Sequence, residues 1–440
     1  MARRLCVMGI PEGAVVDDTD ANNMSLYICT HECTTHHARY DIRAIRLSDL
    51  SSILKSKSKS QSQSKFTKSE LLRKLAFIEG DDVPYLMGCG LFGSQILLAG
   101  GQKPPGPEMS IGCRYGPYGS TQIYLFETDD DDEKRKEKVY NHGNRFGQLR
   151  FGSSPPFTPP PHDHIHSGGI IKGNCCYGKL HQVKAEPLVV EVGGKLFVLS
   201  GGLLASSESP IFEEFNPCEG SWTTLPDPPD TWRYTSEFHY FSCAIVGTKI
   251  MVSTPISPVF CFDVAGPNPR QWSVCSAVPF PFKGMALVLD SGLDDNCSKI
   301  VFGYEDVPGH GDDIVAYMMF NDNENGYCSW FPIAPLNLLT EFSKLVLVGG
   351  PDDTFSFVHL GGGKVCFAGS CFTPSLDPPV SLEEDMNLIV VTFEFSISDM
   401  DSNSARILAV KTLGSCIFPL DFASEEGKRC QAKLLGCFVR

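Results

Sequence analysis

Two histidine clusters are the first residues in this chain whose types could do chemistry: His31, Cys33, His36 and His37, and then His162, His164 and His166. Neutral imidazole and thiolate suit zinc or copper. Zinc sites, however, combine ligands from two separated short motifs, and neither cluster has that counterpart. The second lies in PPFTPPPHDHIH (155–166), where alternate histidines beside proline read as a polar loop tip. Both clusters are expected in solvated loops, and no metal ligand is assigned. Cys175-Cys176 lacks the spacer of a C-x-x-C redox pair. Asp312-Asp313 and Asp352-Asp353 are expected in glycine-bearing loops, where Asp caps turns. GGGK at 361–364 lacks the pattern of a phosphate-binding loop and reads as a turn between strands. No catalytic residue and no cofactor follow from these patterns.

Recognition is a different chemistry. The stretch GQKPPGPEMSIGCRYGPYG at 101–119 carries Arg114, Tyr115 and Tyr118. Arg and Tyr are favoured in binding hot spots, so these three are the candidate partner-binding residues.

The elements that must position them repeat. A short apolar strand led by Lys or Gln recurs as QILLAGG at 95–101, KLFVLSGG at 195–202, KIMVSTP at 249–255, KIVFGYE at 299–305 and KVCFAGS at 364–370. Four of the copies follow a tight turn: FGSQ (92–95), VGGK (192–195), VGTK (246–249) and LGGGK (360–364). Glycine tolerates the positive φ that a two-residue hairpin needs, so each unit starts as a β-hairpin. A period near ~50 residues built on hairpins means a propeller or β-array. The second half of the pattern agrees: Phe215-Asn216 leads to Trp222, Phe262-Asp263 to Trp272 and Phe320-Asn321 to Trp330, each with a proline-rich exit. The three Trp are expected at equivalent, largely buried places on successive outer strands.

A hairpin whose second strand ends in Gly-Gly, followed by an aromatic-plus-polar turn and a Trp-bearing outer strand, resembles the kelch repeat. The stretch 187–226 is the best match, and 93–128 fits apart from its missing Trp. The resemblance covers roughly 83–415 and looks like the divergent kelch-type propellers of plant proteins. It implies an all-β fold, a kelch-like β-propeller, for which six four-stranded blades are expected. Plant specifier proteins of this fold carry iron through E-x-x-x-D-x-x-x-H, and no Glu here heads that pattern. Galactose oxidase, another kelch-type enzyme, gathers copper ligands from several loops, and no linear motif here establishes that set. The Leu-Pro opening of an F-box is absent from 1–82.

The formal charge of −15 argues against a nucleic-acid role, since phosphate binding needs a basic surface, so no nucleic acid is expected. No apolar run reaches membrane-spanning length, and the opening MARRLCVMGIPEG is too short in apolar residues for a signal peptide. Many of the 18 Cys fall inside strands, where a thiol acts as an apolar filler. The expectation is a cytoplasmic or nuclear protein, a monomeric ring without a membrane partner.

The expected organisation along the chain is a degenerate first blade at 1–50 that helps close the ring, then a Ser/Lys-rich loop at 51–82. Blades follow at 83–128, 187–232, 239–282, 283–338 and 355–415, with an irregular insertion at 129–186 and a closing segment at 416–440. SCIFPLDF (415–422) is the candidate closing strand. The leading functional expectation is a non-enzymatic interaction scaffold or adaptor that uses propeller loops to bind protein. The alternative is a metal-dependent enzyme with its site at the central mouth.

Overall fold

Every Lys- or Gln-led strand is the second strand of an antiparallel meander, and in four of the five the tight turn read from the sequence joins it to the strand before. The structure, a computed structural model, describes residues 24–33, 38–56, 71–80, 82–103, 119–128, 169–170, 172–173, 177–201, 211–229, 241–291, 298–307, 311–322, 327–339, 346–347, 355–372, 386–398, 407–420 and 432–440. The fold is all-β.

The first meander contains β1 (Ser25–Cys33), β2 (Ala38–Arg46) and β3 (Arg73–Gly80). The second contains β4 (Gly88–Phe92), β5 (Gln95–Ala99) and β6 (Ile123–Glu127). Two short strands, β7 (Gly169–Ile170) and β8 (Lys172–Gly173), edge β3 and β6 respectively. The third is β9 (Leu188–Val192), β10 (Lys195–Leu199), β11 (Phe212–Asn216) and β12 (Ser221–Thr224). The fourth is β13 (Ser242–Val246), β14 (Lys249–Ser253), β15 (Val259–Asp263) and β16 (Trp272–Ser276). The fifth is β17 (Lys283–Asp290), β18 (Ser298–Val307), β19 (Gly311–Asp322) and β20 (Tyr327–Pro335). The last sheet holds β21 (Val346–Leu347), β22 (Phe355–Gly361), β23 (Lys364–Phe372), β24 (Met386–Ser398) and β25 (Ile407–Pro419). Finally β26 (Ala432–Val439) returns to pair with β1.

The core lies between meanders rather than inside any one of them. Leu26 and Ile28 of β1 pack with Cys366, Val390 and Phe418 of the last meander. Their neighbours Tyr27 and Cys29 pack with Ile96 and Leu98 of the second. Leu97 and Ala99 face the third meander, which in turn meets the fourth, the fourth the fifth and the fifth the last. Alternate residues of one strand thus serve two different interfaces, which is why runs such as KLFVL carry no polar face.

The first strands of successive meanders approach closely. β13 and β17 pair in parallel through Ser242–Gly284 and Cys243–Met285. A Cβ added at Gly88 would stand 2.0 Å from the Pro187 carbonyl oxygen, and one at Gly90 2.7 Å from that of Val189. Only glycine lets β9 run so near β4. The Ser356 hydroxyl of β22 accepts the Cys437 backbone N–H of β26 at 3.0 Å.

Several expectations need correction. The closing strand is β26, inside 416–440, whereas 415–419 belongs to the outermost strand of the last meander. The 51–82 stretch contains the end of helix α1 (Leu47–Ser56) and all of β3, and Leu47 and Leu50 of α1 join the cluster between the first and last meanders. Trp222 and Trp272 occupy equivalent places opposite Phe215 and Phe262. Trp330 does not: it stands opposite Met319, with Phe320 opposite Ser329, so the register is offset by one. A one-residue offset turns a side chain to the other face, and Phe320 and Phe331 accordingly meet edge-on at the surface. Even so, each Trp reaches the segment preceding its own meander. The Trp222 and Trp272 indoles donate to the Tyr177 and Pro226 carbonyls, and the Trp330 ring packs at a tilt against Phe280, centroids 5.0 Å apart.

Candidate functional site

In an antiparallel meander, the connection from second to third strand emerges at the end where the first strand begins. In the second meander that connection, between β5 and β6, is the one that bears Arg114, Tyr115 and Tyr118. These three lie outside the described residues, but both ends of their loop are described. Gln102 bridges Tyr85 on one side and Gly119 on the other, and the Ser120 N–H donates to the Gly101 carbonyl at 2.7 Å. The repeat's di-glycine makes this possible. Gly100 and Gly101 have φ of 68° and 88°, and a Cβ at Gly101 would stand 2.5 Å from the Tyr85 carbonyl oxygen. Both ends of this connection are therefore pinned.

The floor beside these ends is polar and closed. The Gln102 amide donates to Glu186 at 3.1 Å. Leu86 and Glu186, each two residues ahead of a first strand, adopt positive φ of 52° and 44°. Such backbone is costly outside glycine and is held only where the surroundings enforce it. Lys184 and Glu213 form a fully buried ion pair. Glu213 also accepts the backbone N–H groups of His181 and Gln182 at 2.8 and 2.9 Å. Burial pushes the Lys184 ammonium below its ordinary range, against the opposing pull of Glu213 and Asp227.

The other sequence candidates do not assemble with these residues. His31 is buried in β1 against Tyr40, ring centroids 4.6 Å apart, rather than in a solvated loop, because β1 is covered by β2 and β26. Asp313 is also not in a loop. It lies in β19 opposite Glu305, with its carboxylate accepting the Ile314 and Leu339 N–H groups. Burial raises Asp313, and those bonds pull the other way. The GGGK turn joins β22 to β23, with Gly361 opposite Lys364. His36, His37, His162, His164, His166, Cys175, Cys176, Asp352 and Asp353 lie outside the described residues. Among the described residues, no group of three or more His, Cys, Asp or Glu is placed to hold a metal ion.

Sequence reasoning missed Gln102, Lys184, Glu186 and Glu213. One signal was available: FEEFN at 212–216 puts two acids between phenylalanines in a strand, and a buried acid needs a partner.

Meanders that share their cores with their neighbours, four of them entered through a tight hairpin, define an all-β, β-propeller-like protein. Residues 175–294, which run from ahead of β9 to just beyond the end of β17, match a family described as Protein of unknown function (DUF1668). No curated protein matches the chain.

Proposed function

We propose that this chain is a kelch-type propeller of six four-stranded blades that works as a non-enzymatic scaffold in the cytoplasm or nucleus. It binds a protein partner through the loops at the mouth where second strands end. The observation that carries the reading is the pinned base of the loop between Gln102 and Gly119. A rigid base lowers the entropy lost when a loop engages a partner, and loops on rigid scaffolds commonly carry function. Gln102, Glu186 and the buried Lys184–Glu213 pair keep that base in one geometry. The cycle of shared cores supports the blade count, since each meander finds a neighbour on both sides.

The test compares the full chain with a triple variant, Arg114→Ala, Tyr115→Ala and Tyr118→Ala, in affinity capture. The expected result is one stoichiometric partner that the triple variant loses at unchanged melting temperature. No stoichiometric partner, or equal capture by both chains, would overturn the reading.

A further inference from the structure

Strand β20 ends the sheet that the fourth and fifth meanders share, and among the described strands it pairs with β19 alone. Its first five residues, Tyr327 to Phe331, read YCSWF. Charges, prolines and bulges are the devices that keep a strand edge from pairing. These five carry no charge, and both Pro332 and the bulge of the β19–β20 ladder lie beyond them. Aromatic residues also favour strand pairing.

The side chains of β20 alternate. Cys328 and Trp330 turn into the cluster between the fourth and fifth meanders. Tyr327, Ser329 and Phe331 turn to the opposite face, where Phe320 of β19 joins them because it stands opposite Ser329. The Phe320 and Phe331 rings meet edge-on, centroids 6.2 Å apart. Tyr327 is 60% exposed, Phe331 58% and Phe320 37%. By contrast, the outer strands β12 and β16 present only Val274 as an exposed large hydrophobic residue. At about 200 Å² per aromatic residue, the three leave about 300 Å² of aromatic surface beside the strand edge.

This surface is self-complementary, because aromatic, Ser, aromatic at 327, 329 and 331 reads the same in both directions. We propose that β20 pairs antiparallel with β20 of a second copy of this chain, about a two-fold axis at Ser329. Tyr327 then faces the second copy's Phe331, Phe331 faces its Tyr327, and the two Ser329 face each other. Cross-strand aromatic pairs stabilise such a ladder, and one patch serves both chains, as two-fold symmetry requires. The two eight-stranded sheets become continuous. The aromatic surface falls short of the about 800 Å² per partner of a stable interface, so the dimer is weak, with Kd about 10–100 μM. Each chain carries a formal charge of −15. Repulsion therefore opposes the contact, and salt strengthens it by screening.

The test is sedimentation of the full chain over about 1–300 μM, at low and high salt. The mass should rise from 48.2 kDa toward twice that value, and at lower concentration in high salt. A chain that stays at 48.2 kDa throughout overturns the proposal. Ser329→Lys sets like charges face to face and should weaken the dimer about tenfold at unchanged melting temperature; an unaffected dimer overturns it. Tyr327→Lys and Phe331→Glu should each weaken association, and the two combined should restore it, since opposite charges then meet across the axis. A combination no better than either single variant overturns the register. Hydrogen exchange of the wild-type chain needs no variant: protection at 327–331 should rise with concentration, and a dimer that gains protection elsewhere instead refutes this interface.

Discussion

Glu213 and Glu214 are adjacent in β11 yet bind opposite neighbours of their sheet. Glu213 turns toward the second meander's side and takes the Lys184 ammonium. Glu214 turns the other way, to Arg270 of the fourth meander, and also takes Lys195 of its own. Phe212 and Phe215 follow the same alternation, Phe212 meeting Phe262 and Trp272 while Phe215 meets Phe92 and Tyr177. One strand thereby joins three consecutive sheets with both apolar and ionic contacts.

Breaking the buried pair from one side leaves a desolvated charge. Lys184→Met or Glu213→Leu alone should each cost about 3–5 kcal/mol in urea unfolding. The double variant Lys184→Met with Glu213→Leu should cost clearly less than the sum, because no lone charge remains. Additive losses would show that the two side chains are not coupled.

Glu214 gives a pH signature of definite sign. Burial alone would raise its carboxyl, but hydrogen bonds from Arg270 and Lys195 outweigh that and hold it below the ordinary value. A depressed native carboxyl stabilises the fold above the unfolded value of ~4.3, and that stability is lost as pH falls through the lower native value. Asp313, raised by burial, contributes with the opposite sign, so the comparison must be between wild type and Glu214→Gln. The variant should be less stable at neutral pH, and the gap should narrow as the medium is acidified below ~4. A gap independent of pH would contradict the assignment.

Two glycines of one hairpin should respond differently to alanine. At Gly88 the new Cβ would enter the backbone of the neighbouring strand, 2.0 Å from the Pro187 oxygen. Gly93 has φ of 57° and open space around it. Gly88→Ala should cost at least ~3 kcal/mol or prevent soluble expression, while Gly93→Ala should cost only the left-handed backbone strain, roughly 1 kcal/mol. Equal melting temperatures for the two variants would mean that β4 and β9 are not held at this distance.

Removing 432–440 deletes β26, which uncovers one edge of β1 and opens the cluster around Leu26 and Ile28. Exposed strand edges promote association. The expected result is insoluble protein or loss of cooperative melting. Deleting 58–66 instead should shift stability by only ~0.5 kcal/mol, because loop-closure entropy changes slowly with length. A soluble, cooperatively melting chain without β26 would show that the closure is dispensable.

The sequence by itself determined the hairpins, because a two-residue turn is a local event. Gly93, Gly193–Gly194, Gly247 and Gly361–Gly363 all adopt the positive φ that their turns demand, and strands begin at Gln95, Lys195, Lys249 and Lys364. It also determined that the strands bury both faces, since their apolar runs do not alternate. What those faces bury against was not legible. The return of β26 to β1 depends on closing the chain on itself, and the pairing of Lys184 with Glu213 depends on the packing of the entry segment against β11. Register was equally hidden: Phe262 to Trp272 and Phe320 to Trp330 have the same spacing, yet only the first pair stands face to face. Turn chemistry is encoded by neighbouring residues, whereas register is set by competition between whole faces for a buried side, and tertiary structure alone decides that.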